Sequence, residues 1–180
     1  MMQKQQIRNK TQTKITIKIP DYIDGSDKVE IGNRIIDFIK ERSKEGKNVY
    51  NRKWSGKAGV YTPEYADKKG YSRPVDLELS GKMLDAMKQF KDKNKTGQIV
   101  IGYTKGTKQE RKAEGNILGT YGQPTPIAGK ARPFLDILKK DVNNIISEYI
   151  EEKAKTKTKE KPVKARTLKQ KEDKPGEFSF

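Results

Sequence analysis

The chain has 180 residues, 32% apolar and 36% charged, with a formal net charge of +16; this suffices for one domain whose compact part is shorter than the whole. It contains no cysteine and no histidine, so disulfides, Cys-based or His-based zinc sites and His-dependent catalysis are excluded by inventory. No apolar run approaches the roughly 18 residues of a membrane span, and residues 1–14 lack the apolar stretch of a signal peptide, so the expectation is a protein made in a cytoplasm with no membrane partner.

Residues 1–12 are rich in Gln, Lys and Asn with little to bury, and are expected to form a basic arm carrying Lys4, Arg8 and Lys10. Residues 13–19 alternate, with Ile15, Ile17 and Ile19 on one face and Lys14, Thr16 and Lys18 on the other, which predicts a half-buried strand ended by Pro20. Asp27 followed by Glu30 reads as a capping-box variant. Behind it Val29, Ile31, Ile35, Ile36 and Ile39 recur at helical spacing up to Gly46. Residues 47–79 hold Gly, Pro and Tyr without a sustained period. They are expected to be an irregular stretch pinned by its aromatics, with a short strand possible at residues 58–61.

Ser80 is placed to cap a second helix, with Met83, Leu84, Met87 and Phe90 at spacings of three and four. Residues 98–103, with Ile99, Val100 and Ile101, predict a short strand. Five glycines and two prolines between residues 104 and 130 predict a long loop, and they do not follow the order of a phosphate cradle. Pro133 stands where a first-turn proline belongs. From it Phe134, Leu135, Leu138, Val142, Ile145, Ile146, Tyr149 and Ile150 trace the stripe of a long final helix. Past Lys153 the Lys-Thr repeats, Pro162 and Pro175 predict disorder.

The expected fold is therefore α+β: a small antiparallel sheet packed with two or three helices, a long C-terminal helix and extended basic arms. The division is an N-terminal arm at 1–12, a domain at 13–152 and a basic tail at 153–180. Residues 1–18 carry +5 without an acid and the tail carries +6, so most of the excess charge lies on the two arms. Lysines outnumber arginines 32 to 8, a bias that AT-rich coding sequence explains equally well.

The order of several blocks resembles the phage virion-morphogenesis family, tail-completion and head-tail joining proteins of tailed bacteriophages. The blocks are Trp54; Tyr65 with Lys68 and Lys69; residues 77–84 centred on Ser80-Gly81; Ile99 to Gly102; the Gly119 to Gly122 loop; and Ala131-Arg132-Pro133-Phe134-Leu135. Together they span about residues 29–150. The chain lacks a His that members often carry before the Arg-Pro-Phe block, and its tail beyond Lys153 lies outside the pattern. The resemblance implies a small α+β domain acting as a subunit of a homo-oligomeric ring at the neck or tail of a virion. Portal, adaptor, neck or tail-tube proteins would be its neighbours, with assembly in the host cytoplasm and no cofactor.

Candidate interface residues are Trp54 and Tyr65, which as aromatics fill pockets on neighbours or lid their own core. Arg132 either clamps a neighbour's carboxylate or satisfies local carbonyls. Phe134 and the aromatic pair Phe178 and Phe180 complete the set. The alternative function is a basic nucleic-acid-binding accessory protein whose Lys4, Arg8, Lys10, Lys155, Lys157, Lys159 and Lys161 grip phosphate; the alternating Lys-Thr spacing and the terminal aromatics favour lacing across an acidic protein surface instead. Glu110 with Glu114 is the one carboxylate pair weighed for glycosidase chemistry, and no pocket is expected around it. The expectation is a protein that is not an enzyme.

Overall fold

A computed structural model describes residues 13–23, 25–70, 75–77, 81–90, 97–121 and 123–159. The fold is α+β, a three-stranded antiparallel sheet with helices, five of them among the described residues. The chain runs through β1 (Lys14–Lys18), α1 (Gly25–Lys44), a 3-10 turn (Gly56–Ala58), α2 (Pro63–Lys69), α3 (Lys82–Asp85), β2 (Lys88–Phe90), β3 (Gln98–Gly102), α4 (Lys108–Leu118) and α5 (Lys139–Lys159).

β3 is central, with β1 on one side and β2 on the other. The pairing sets Ile15 opposite Ile101 and Ile17 opposite Ile99, so the two-residue period of both strands delivers four isoleucines to one face. All four are buried, as the alternation of residues 13–19 predicts. α1 covers this face with Ile31, Ile35, Ile36 and Ile39. Val29, expected on the same stripe, is 51% exposed.

α5 lies along α1 in the opposite sense. Near the end of α1, Arg42 Nη2 donates to the carbonyls of Phe134 (2.7 Å) and Asp136 (2.6 Å), just ahead of α5. Near its start, Asp27 accepts a hydrogen bond from the Tyr149 hydroxyl (2.6 Å) and pairs with Lys153. Arg34 bridges the middle, donating to Glu30 and to Glu152 (2.7 Å). Asp27 is thus not the N-cap expected of it. It sits inside the first turn, where it offsets the helix dipole and anchors α5.

Four further expectations are corrected. The predicted helix from Ser80 to Phe90 is a single turn, α3, followed by a strand: Met83, Leu84 and Met87 are buried, but Phe90 belongs to β2; Ser80 lies outside the described residues. The predicted loop at 104–130 contains α4. Thr107 caps it by accepting from the Glu110 amide (3.1 Å), and Gly119 ends it in the left-handed conformation. The final helix begins at Lys139, not Pro133, because Arg42 holds the Phe134 and Asp136 carbonyls that a helix would direct to its own amides. It also continues past Lys153 to Lys159, where disorder is expected from composition. Residues 58–61 form no strand, and the described residues between 47 and 79 are irregular apart from the 3-10 turn, α2 and an isolated bridge between Lys47 and Lys53.

Candidate functional site

Arg132 organises the far end of the molecule. Its side chain is 4% exposed and reaches two separate segments. Nε donates to the Ala58 carbonyl at 2.8 Å, Nη2 to the Val60 carbonyl at 3.4 Å, and Nη1 approaches Asn116 Oδ1 at 3.5 Å. The Arg132 amide also donates to the Asn116 carbonyl (2.7 Å). The guanidinium lies 5.4 Å from the ring centroids of both Tyr61 and Tyr121, a geometry that draws the cation to each π face. A fixed planar fork suits three acceptors spread over one loop and a helix.

Around this arginine opens a groove of about 600 Å³ between α2, α4 and the loop at 120–131. That size falls in the range of roughly 300–1,000 Å³ in which a compact ligand or a few residues of peptide are buried. Its aromatic walls are Tyr61, Tyr65 and Tyr121, and its aliphatic surface comes from Val60, Leu77, Met83 and Ile127. Lys108, Arg111, Lys112 and Lys130 supply four cations beside the internally bonded Arg132, and no carboxylate is among the described residues that line the groove. Lys108, Arg111 and Lys112 occupy α4 and are exposed, so their charges project into solvent at the rim.

The walls are held by specific contacts. Tyr61 is buried and its hydroxyl donates to Asp76 (3.0 Å), which also pairs with the fully buried ammonium of Lys69. Its ring packs against Tyr65, with centroids 4.8 Å apart. The Tyr121 hydroxyl donates to the Lys130 carbonyl (2.8 Å), and the Ile127 amide donates to the Gly119 carbonyl (3.0 Å), so the loop is tied across its base. Burial pushes the phenols of Tyr61, Tyr65 and Tyr121 upward, and Asp76 adds to this at Tyr61. All three therefore stay protonated at neutral pH, offering rings and hydroxyl groups rather than phenolate nucleophiles.

Two non-glycine residues of the groove, Leu77 (φ 55) and Tyr121 (φ 47), lie in the left-handed region. Such a backbone costs roughly 1–3 kcal/mol where the surrounding structure enforces it, and it collects at functional sites. Gly119 (φ 74) is required next to them: a Cβ there would stand 2.8 Å from the Ala131 nitrogen.

The sequence candidates separate. Tyr65 is 37% exposed and belongs to the groove. Arg132 borders the groove with its fork bonded to the chain's own carbonyls, which is the second of the two roles considered for it. Phe134 is fully buried in the core and presents no side chain to a partner, a correction. Trp54 is half-buried and packs on its own domain's core. Glu110, weighed as one of a carboxylate pair, accepts from the Thr13 hydroxyl (2.8 Å) and the Gly106 amide, fastening the start of α4 to the residue that leads into β1. Lys155 is exposed on α5, and Lys157 and Lys159 belong to its last turn. Lys4, Arg8, Lys10, Lys161, Phe178 and Phe180 lie outside the described residues.

Sequence reading missed Tyr61, Tyr121 and the α4 cations. The available signal was the Thr107-x-x-Glu110 capping box, which announces a helix and so aligns Lys108, Arg111 and Lys112 at spacings of three and four on one face. Among the described residues no helix is long and apolar enough to cross a membrane. No family model matches the chain, and no curated protein or solved structure is similar to it.

Proposed function

We propose that this chain is a structural virion protein that oligomerises as a ring at the neck or tail of a tailed bacteriophage and completes the tail or the head-tail junction. Portal, adaptor, neck or tail-tube proteins are its neighbours, and it is made in the host cytoplasm before joining the virion. One observation carries the reading. Tyr65, Leu77, Gly81, Met83, Tyr121 and Arg132, all within the blocks on which the family resemblance rests, are spread over nearly 70 residues yet meet around the same groove.

The chemistry of that groove supports binding. Aromatic and aliphatic walls favour an apolar side chain, and a cationic rim with no carboxylate among its described lining residues favours an acidic segment beside it. This is the equipment of a subunit that docks a piece of protein. The test is the mass of the purified full chain, alone and mixed with the portal, adaptor and tail-tube proteins encoded beside it, before and after nuclease. Ring-sized species that survive nuclease are expected. A monomer under all these conditions overturns the reading, and assembly that dissolves on nuclease treatment, with affinity for DNA falling steeply as salt rises, favours the nucleic-acid alternative.

A further inference from the structure

We propose that the groove receives the acidic aromatic segment at residues 172–180 of a neighbouring copy, so that the C-terminal tail laces one subunit to the next. The proposal rests on the reading of the chain as a self-assembling ring subunit and names what fills its groove.

The tail changes character along its length. Residues 153–171 hold eight Lys and one Arg against Glu160, a net +8, whereas residues 172–180 hold Glu172, Asp173 and Glu177 against Lys174, a net −2. The same nine residues contain Phe178 and Phe180, the only aromatics beyond Tyr149. The groove is complementary in both respects: it offers three tyrosine rings with an aliphatic floor, and four cations besides Arg132 with no acid among its described lining residues. The basic stretch at 153–171 is repelled by that rim, so charge selects which part of the tail enters.

The course of α5 points the tail at a neighbour. Arg42 and the Phe134 carbonyl meet at the groove end of the molecule, two residues from Arg132, while Asp27 and Lys153 meet at the other. From Asp27 to Arg42, α1 spans about 22 Å, and α5 runs roughly another 9 Å beyond Lys153, at about 1.5 Å per residue. The last residue of α5 is therefore about 30 Å from its own groove and directed away from it. The 18 residues at 160–177 can span at most about 60 Å when extended, so the chain is long enough to carry Phe178 onto the groove of an adjacent copy.

The experiment uses two full-length variants. One, F178A/F180A, keeps its groove and loses the anchor; the other, K108E/K112E, keeps its tail and reverses two exposed rim charges. Matching denaturation midpoints establish that both fold. A fluorescent peptide of residues 171–180 should bind the F178A/F180A protein saturably, and at least tenfold more weakly when the peptide lacks both phenylalanines or the protein also carries K108E/K112E. Mixing the two variants should give a one-to-one heterodimer, while neither self-associates alone. Absence of peptide binding, binding indifferent to the rim charges, or a mixture that stays monomeric overturns the proposal. If the wild-type chain still forms rings with its neighbours in that case, the virion reading stands and only the tail docking fails. If it forms no assembly at all, the virion reading itself falls.

Discussion

Replacing Arg132 separates its two possible roles most cleanly. Arg132→Met keeps the length and loses the fork. The 2.8 Å bond from Nε to Ala58 is the short, charge-assisted one and is worth about 1.5–3 kcal/mol. The contacts at 3.4 Å and 3.5 Å are at the limit of hydrogen-bond geometry and add little. Two cation-π contacts at 5.4 Å contribute about 0.5–1 kcal/mol each. Methionine recovers part of the packing, so the net loss should be about 2–4 kcal/mol. At roughly 2–4 °C per kcal/mol for a chain of this size, the melting temperature should fall by about 4–16 °C. Urea denaturation of the purified protein gives the energy through its midpoint at unchanged slope. Arg132→Lys should recover only a minor share, since an ammonium cannot match the planar fork that serves the 58–60 loop and α4 at once. A change below about 0.5 kcal/mol for Arg132→Met, accompanied by lost oligomerisation, would refute the internal role and restore Arg132 as an intersubunit clamp.

Gly119→Ala should cost about 2 kcal/mol or more, from its left-handed backbone and the 2.8 Å approach to Ala131, while Gly106→Ala, equally left-handed (φ 81) but in open space, should cost about half as much; paired urea titrations compare them. Phe134→Ala should lose about 3–5 kcal/mol because the ring is fully buried, and a variant of near wild-type stability would take Phe134 out of the core. Hydrogen bonds from Thr13 and the Gly106 amide hold the Glu110 carboxyl below its ordinary value of 4.5. The folded state then binds fewer protons than the unfolded one in that range, so this contribution is present above pH 4.5 and fades as pH falls through the folded value. The stability gap between wild type and Glu110→Gln should close in acid, and a gap constant from pH 6 down to pH 2.5 would contradict the assignment.

The parts of the fold with a local period were legible. The alternation of Ile15, Ile17 and Ile19 and the stripe from Ile31 to Ile39 announce β1 and α1 because each element buries one face and needs no distant partner to declare it. The errors fall where a long-range contact overrides local preference. Pro133 and the apolar residues after it satisfy every rule for a helix start, but Arg42, some 90 residues earlier, takes the carbonyls first. α4 escaped for a different reason: Ala113 and Gly115 are its buried residues, so it declares its inner face through small side chains that leave almost no hydrophobic period. Its cap and its terminal glycine carried the signal instead. The groove was half visible. Tyr65 and Arg132 were marked by their place in recognisable blocks, whereas Tyr61, Tyr121 and the rim lysines acquire meaning only when α4 and the loop at 120–131 fold against α2.

Imaging of intact virions of a tailed phage whose genome carries this sequence tests the proposed assignment most directly. Density for a ring of copies at the neck or tail end, into which the three-stranded sheet with the antiparallel pair α1 and α5 fits, is the result the account predicts. Particles complete at neck and tail but lacking the chain, with the protein recovered only as free monomer from the lysate, would contradict it.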